Sequence, residues 1–325
     1  MRAGALTENS ARSGENWQGW RMPLLERVVE SGRWDAVHHH LPLRVHWVLD
    51  GLAMAADPGS YRAWLRARRW DAQGAGNGRE AIVRTRPLGG VPVVLREDTA
   101  DAWALSSAML HPMHRPPGGM PAGARLVLDL GANIGLTMAD FARRLPRARI
   151  VGVELSGENA AVCRRNVAAW ADRCTVVEAA VWPQDGLVSF DPAANTESFR
   201  AASGEHGTAP TGAESARAIS IGTLLEEHAP DGRQVDFVKM DVEGAEADLL
   251  TRATGWAERV RAISVEVHKP YTVEECLGDL RNLGFAARRD PRFRGYPGEG
   301  MPPVIGIRLP APRPARSSRP ALVGS

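Results

Sequence analysis

The sequence predicts an α/β fold built on a mostly parallel sheet, preceded by a helical cap and a β-hairpin. Three observations predict it. Residues Leu126–Gly135 read Leu-Val-Leu-Asp-Leu-Gly-Ala-Asn-Ile-Gly. Four of the first five are apolar, the pattern of a strand buried on both faces, and a glycine-bracketed turn follows. Apolar runs recur at Arg149–Glu154, Thr175–Glu178, Val235–Met240 and Ala262–Val267, with helical patterns after the first, second, fourth and fifth strands. Such alternation calls for parallel strands joined by crossover helices. Last, Phe285–Arg289 and Val304–Leu309 read as antiparallel strands closing one edge of a mixed sheet.

In chain order, residues 1–16 read as a loose leader and residues 17–121 as an N-terminal cap. Leu24, Leu25, Val28 and Val29 make one helical stripe; Leu43, Trp47, Val48, Leu52 and Ala55 make another. Seven of the ten tryptophans precede the glycine turn: Trp17, Trp20, Trp34, Trp47, Trp64, Trp70 and Trp103. Core packing of the cap accounts for them more simply than a pocket or a dimer face. His38–His40 are consecutive, share no helix face, and read as a surface run. Ala81–Arg86 and Val91–Arg96 flank Leu88-Gly89-Gly90 as a hairpin, and Thr99 and Asp101 are placed to cap a helix through Leu110. The main domain is expected over residues 122–309. Its helices include Leu136–Leu145 and Thr272–Leu283, and Ala179–Ala218 reads as a long irregular, functional loop. Residues 310–325 read as a disordered tail.

Composition narrows the function classes. A net charge of +2 over 325 residues gives no case for nucleic acid binding. Three widely spaced cysteines argue against a disulfide framework and fit a reducing, cytoplasmic setting. No apolar run is long enough to span a bilayer, and Met1–Trp20 lacks a signal-peptide core. Of 40 basic residues only Lys239 and Lys269 are lysine. Both sit where strands end on the catalytic side of the sheet. A compact, tunable ammonium differs from a guanidinium, so Lys239 is expected to be lysine because the site needs one.

The first turn points to a ligand. A dinucleotide fold wants Gly-x-Gly-x-x-Gly with a pyrophosphate on the helix N-terminus; here the turn is Gly131-Ala-Asn133-Ile-Gly135 and follows Asp129. An aspartate repels phosphate and suits a cation. S-adenosylmethionine (SAM) carries a sulfonium and an ammonium and no phosphate. Glu154 closes the next strand about 20 residues on, the usual place for an acid on ribose hydroxyls.

The second informative stretch is Val235–Glu246, in which Lys239, Asp241, Glu243 and Glu246 crowd the end of one buried strand. Burying so many charges is costly unless they pair or bind something. At these residues the chain resembles the FkbM family of SAM-dependent methyltransferases. The resemblance rests on Val127–Gly135, Glu154, Asn166, Ala180, Lys239-Met-Asp-Val-Glu-Gly-Ala-Glu246 and Val265-Glu-Val-His268. It covers roughly residues 81–309. One departure is Glu154-Leu155, where family members often have Glu-Pro.

The resemblance implies a seven-stranded Rossmann-like class I methyltransferase sheet. It also implies methyl transfer from SAM, usually to a hydroxyl of a small-molecule secondary metabolite such as a polyketide or glycoside. By analogy with that fold, Gly131, Asn133 and Gly135 approach the methionine end and Asp129 its ammonium or a bridging water. Glu154 holds the ribose, and Leu155 and Ala180 lie along the adenine. His268 is the first candidate base, since its ordinary pKa suits proton abstraction near neutrality. Asp241 competes with it, and Lys239 and Glu243 complete the catalytic set. A divalent metal on Asp241, Glu266 and His268 stays open behind metal-free base catalysis. The expected partner is a small-molecule acceptor, with neither nucleic acid nor membrane, and a homodimer is left open. The alternatives are a dinucleotide-dependent oxidoreductase, which lacks its glycine pattern, and a non-catalytic SAM-binding protein, against which the intact acidic cluster argues.

Overall fold

The computed structural model describes residues 34, 43–68, 78–120, 123–190, 201–202, 214–293 and 301–308. The expected leader, His38–His40, the tail, and Trp17, Trp20 and Trp70 lie outside them. Helices α1 (Leu43–Met54) and α2 (Pro58–Ala67) open the described chain. Asp57 caps α2 by accepting the Ser60 N–H at 2.8 Å, with Pro58 just inside the helix, where its missing N–H has no partner to lose. Strands β1 (Glu80–Thr85) and β2 (Val91–Arg96) form the expected antiparallel hairpin. Helix α3 (Asp101–Leu110) follows with Ala100 at its N-cap, and Thr99 Oγ1, as expected, accepts the Asp101 N–H at 3.2 Å. The Asp101 side chain is drawn away, because its carboxylate accepts from Arg96 Nε and Nη2 at 3.0 and 2.8 Å.

The main sheet comprises β3 (Leu126–Leu130), β4 (Arg149–Glu154), β5 (Cys174–Glu178), β10 (Phe237–Met240), β11 (Ala262–Val265), β12 (Phe285–Arg289) and β13 (Val304–Arg308). Among the described residues it has seven strands in the order β12-β13-β11-β10-β3-β4-β5. All neighbours are parallel except the pairs made by β13. Helices α4 (Leu136–Arg144) and α5 (Gly157–Asn166) follow β3 and β4; α6 (Ile221–His228), α7 (Glu246–Thr251) and α8 (Val273–Asn282) serve the other half. Along β3, Val127 packs in one core and Leu126, Leu128 and Leu130 in the other, so both sheet faces are covered, as four apolar residues in five predict. A Thr272–Glu275 capping box starts α8.

Two strands are shorter than expected. Val235 makes only an isolated bridge to Val260, and β11 stops at Val265, leaving Glu266–His268 to run out over the sheet end. The larger correction concerns Ala179–Ala218. Where described, this stretch is a second sheet, not an irregular loop: β6 (Ala180–Val181), β7 (Gly186–Phe190), β8 (Ala201–Ala202) and β9 (Glu214–Ile219), in the order β6-β9-β7-β8. β8 (Ala-Ala) and β9 (Glu-Ser-Ala-Arg-Ala-Ile) have little β propensity of their own. Antiparallel pairing of β7 with β9 holds them, and a single sequence does not display that pairing.

The N-terminal elements share a core with the main sheet. Trp34, Trp64, Leu95 and Leu105 are buried in one cluster with Phe141, Ile150 and Phe237. Trp34 and Trp64 are therefore core residues, whereas Trp103 is 56% exposed. Asn166 stitches the two parts: its amide accepts the Val94 N–H at 2.7 Å and donates to Ile134 O at 2.9 Å, in the glycine turn.

A buried ionic knot fixes α4. Asp140 is fully buried and accepts from Arg115 Nε and Nη2 at 2.6 and 2.7 Å and from Arg144 Nε at 2.9 Å, with His114 Nε2 at 3.0 Å. Burial alone would raise its carboxyl, but His114 and Arg115 outweigh that and hold it well below the ordinary range. A depressed folded-state pKa contributes stability above the unfolded value of about 4, lost as pH falls through the folded value. Asp140→Asn leaves the buried Arg115 guanidinium without its counter-charge and is expected to cost about 3–5 kcal/mol, read as a lower urea midpoint at neutral pH. The deficit should shrink in acid, and a variant unfolding at the wild-type midpoint would contradict it.

Candidate active site

The carboxyl ends of β3, β4 and β10 meet beside the turn that leads into α7, where open α/β sheets place their ligands. An open cleft lies there, spanning about 630 Å³ with the solvent at its opening included. Gly131, Asn133, Glu154, Leu155, Asn159, Ala180, Asp241 and Glu243 are among the residues lining it. The expected cofactor residues thus divide into two groups. Gly131, Asn133, Glu154, Leu155 and Ala180 face the cavity; Asp129 and Gly135 stand behind it.

Gly131 is where the chain has no room. Its φ is +82°, and a Cβ there would lie 1.7 Å from the Asp241 carbonyl oxygen. Its absence lets the β3 and β10 turns touch at the cavity floor. Asn133 also holds a positive φ, +48°. Its N–H donates to Glu154 Oε2 at 2.8 Å. Glu154 Oε1 accepts from Ser156 N at 2.9 Å and Asn159 Nδ2 at 3.5 Å. Burial raises the Glu154 carboxyl, while the Ser156 and Asn133 N–H groups oppose the shift. A carboxylate offers about four acceptor sites, so three donors leave one for a ligand hydroxyl. Leu155 and Ala179–Val181 give the adjoining apolar wall.

Gly135, with φ +81°, is the N-cap of α4, and a Cβ on it would meet Cys163 Sγ at 2.6 Å. Its glycine serves the packing of α4 on α5. Asp129 is also structural in position. It is fully buried, and Oδ2 accepts from Thr137 Oγ1. Oδ1 has no hydrogen bond among the described residues, although the Lys239 ammonium stands 3.4 Å away outside bonding geometry.

Lys239 explains that arrangement. Register pairs Lys239 with Asp129 across β10 and β3, so their side chains emerge together. Its Nζ donates to Gly131 O and to Asp241 Oδ2, both at 3.0 Å. Burial would lower this pKa, but Asp241 and Asp129 outweigh it and the ammonium is held charged. Lys239 does not line the cavity. It ties together the two turns that do.

At one end of the cavity lies the cluster of Asp241, Glu243 and His268. His268 Nε2 stands 3.3 Å from Glu243 Oε2 and 3.7 Å from Asp241 Oδ1. Nδ1 meets Glu246 Oε1 at 2.7 Å. Glu243 holds φ +52°, beside Gly244 at +110°, so a tight turn aims it. Burial opposes the imidazolium, yet Glu246, Asp241 and Glu243 push His268 up to about 9. Burial and then Asp241 push Glu243 up to about 8; at Glu266 the Asp241 charge leads the rise to about 7. The cluster therefore holds protons at neutrality. Ligand atoms of Asp241, Glu243 and His268 all lie within 4.8 Å of one another, so these three could take a cation; Glu266, expected in such a set, is not in it. Sequence reading passes over two site residues: Asn159, which lines the cavity and donates to Glu154, and Glu246, whose link to His268 crosses from α7 to the exit of β11.

Residues 129–288 match the family model described as the methyltransferase FkbM domain. No curated protein matches significantly. Among solved structures, the precorrin-6y C5,15-methyltransferase of Geobacter metallireducens is 14% identical, with 57% of this chain and 80% of that one covered at TM-score 0.34. The METTL16 methyltransferase domain is 13% identical, with 61% and 65% covered at TM-score 0.38. An O-methyltransferase family protein of Burkholderia thailandensis is 16% identical, with 64% and 59% covered at TM-score 0.36.

Proposed function

We propose that this chain, whose residues 129–288 match the methyltransferase FkbM domain, is a SAM-dependent methyltransferase that methylates a hydroxyl of a small-molecule acceptor. The observation that carries the reading is one of adjacency. Asp241 and Glu243 line the cofactor cavity and at the same time face His268. The donor end of the cavity thus opens onto groups able to hold a proton.

The cavity suits SAM in three ways. Bare Gly131 lets its turn close on the Asp241 carbonyl, so the two turns that line the cavity meet beneath a ligand. Glu154 keeps an acceptor site for a ribose hydroxyl. The acids Glu154, Asp241 and Glu243 face a ligand that carries positive charge. When bound, SAM supplies an electrophilic methyl group on its sulfonium. The protein's task is to orient the acceptor and take its proton. Unprotonated His268 is the first candidate for that proton, with Asp241 beside it. Turnover should therefore rise with pH toward about 9, the value to which the carboxylates push the imidazole. A profile flat from pH 6 to 9 would remove His268 from the role.

The direct test is calorimetric titration of the chelator-treated chain with S-adenosylhomocysteine. Micromolar binding is expected without metal. Glu154→Ala should weaken it about 10- to 100-fold, the worth of a charge-assisted hydrogen bond. No binding by the wild type would overturn the cofactor assignment. A second reading rests on the convergence of Asp241, Glu243 and His268. A divalent ion held there would lower the pKa of a coordinated acceptor oxygen. Turnover surviving chelation supports the metal-free reading; turnover restored only by magnesium or manganese supports the second.

A further inference from the structure

We propose that Glu246 is a positioning residue: it holds His268 with the proton on Nδ1 and so leaves Nε2 facing Asp241 and Glu243, which line the cofactor cavity. The inference deepens the methyltransferase reading and rests on it. Glu246 is fully buried at the start of α7 and does not line the cavity. Its carboxylate has three partners on two separate pieces of chain. Oε1 accepts the Val242 N–H at 3.3 Å and faces His268 Nδ1 at 2.7 Å; Oε2 accepts the Gly244 N–H at 3.0 Å. One rigid acceptor therefore fixes both the turn that carries Glu243 and the imidazole opposite it.

The consequence for His268 is chemical. Both Glu246 oxygens already accept backbone N–H groups, so each stands as an acceptor. Nδ1 beside Oε1 must then carry the hydrogen, and in the neutral ring Nε2 keeps its lone pair. That nitrogen faces Glu243 and Asp241, the two acids shared with the cavity. This is the logic of a base whose far nitrogen is held by a third group. Without the carboxylate the ring is free to flip or to change tautomer, and Nε2 then presents N–H where a lone pair is needed. The charged neighbours all come from other positions: Asp241 and Glu243 in the turn, Glu266 before the histidine, and Lys239 below. None of them reaches Nδ1 among the described contacts.

The test reads the tautomer directly. The full chain, of nine histidines, is labelled with ¹⁵N-histidine, and His268→Gln assigns the resonance. In wild type at a pH where the ring is neutral, Nδ1 is expected to carry the proton. In Glu246→Gln the two tautomers should mix, with Nε2–H forming at least a third of the population. Affinity for S-adenosylhomocysteine should change less than threefold, because Glu246 is off the cavity. Wild-type His268 with the proton on Nε2 would overturn the proposal. So would an unchanged tautomer in Glu246→Gln, or loss of cofactor affinity with the tautomer intact, which would mark Glu246 as a brace of the turn alone. If Glu246→Gln does not fold, the wild-type spectrum still decides. Wild type that fails to bind S-adenosylhomocysteine sinks the methyltransferase reading separately, whatever the tautomer.

Discussion

Gly131→Ala is expected to abolish measurable binding of S-adenosylhomocysteine, a loss of at least about 100-fold. Two costs combine. The residue sits at φ +82°, where an L side chain costs roughly 1–2 kcal/mol. The added Cβ would also stand 1.7 Å from the Asp241 carbonyl oxygen, which is backbone and cannot rotate away. One turn must move off the other. Both line the cavity, and the Gly131 carbonyl is a partner of Lys239. Gly119→Ala separates the costs, since Gly119 has φ +88° with nothing within 4 Å of a built Cβ. It should lower the melting temperature by a few degrees, about what 1–2 kcal/mol produces, and leave cofactor binding intact. Equal binding by wild type and Gly131→Ala in calorimetry would show that the two turns do not shape the cofactor site.

Lys239→Met is expected to cost about 3–5 kcal/mol, the range seen when one partner of a buried ion pair is removed. The lysine faces Asp129, which is wholly buried, and Asp241, which is not. With the ammonium gone, the Asp129 carboxylate must keep an uncompensated charge or take up a proton. Denaturant unfolding at pH 7 should show the loss, and Asp129→Asn added to Lys239→Met should restore part of it. A double variant as unstable as the sum of the single ones would mean that the two groups are uncoupled. Lys239→Arg keeps the charge but puts a planar fork into a slot that is 7% exposed. Its bulk should displace the Gly131 carbonyl and weaken S-adenosylhomocysteine binding at least about tenfold. Wild-type affinity in Lys239→Arg would refute the idea that the site requires lysine.

The sequence by itself determined the sheet. Leu126–Leu130, Arg149–Glu154, Phe237–Met240 and Ala262–Val265 are short, mainly apolar runs that alternate with helical patterns, and that alternation reads as strands covered on both faces. The glycine turn and Glu154 were legible for a related reason: backbone conformation and acid spacing are local, and local constraints print in consecutive residues. Tertiary structure alone decided how those residues divide the work. Asp129 and Gly135 looked like cofactor contacts, yet register puts the aspartate under Lys239 and helix packing sets the glycine against Cys163. The β6–β9 sheet was invisible because weak strand formers gain their order from pairing across a long gap. Glu246 looked like one more charge on a crowded turn. Only the fold shows that it faces His268, since the distance between α7 and the end of β11 is set by how each packs on the sheet and not by any spacing along the chain.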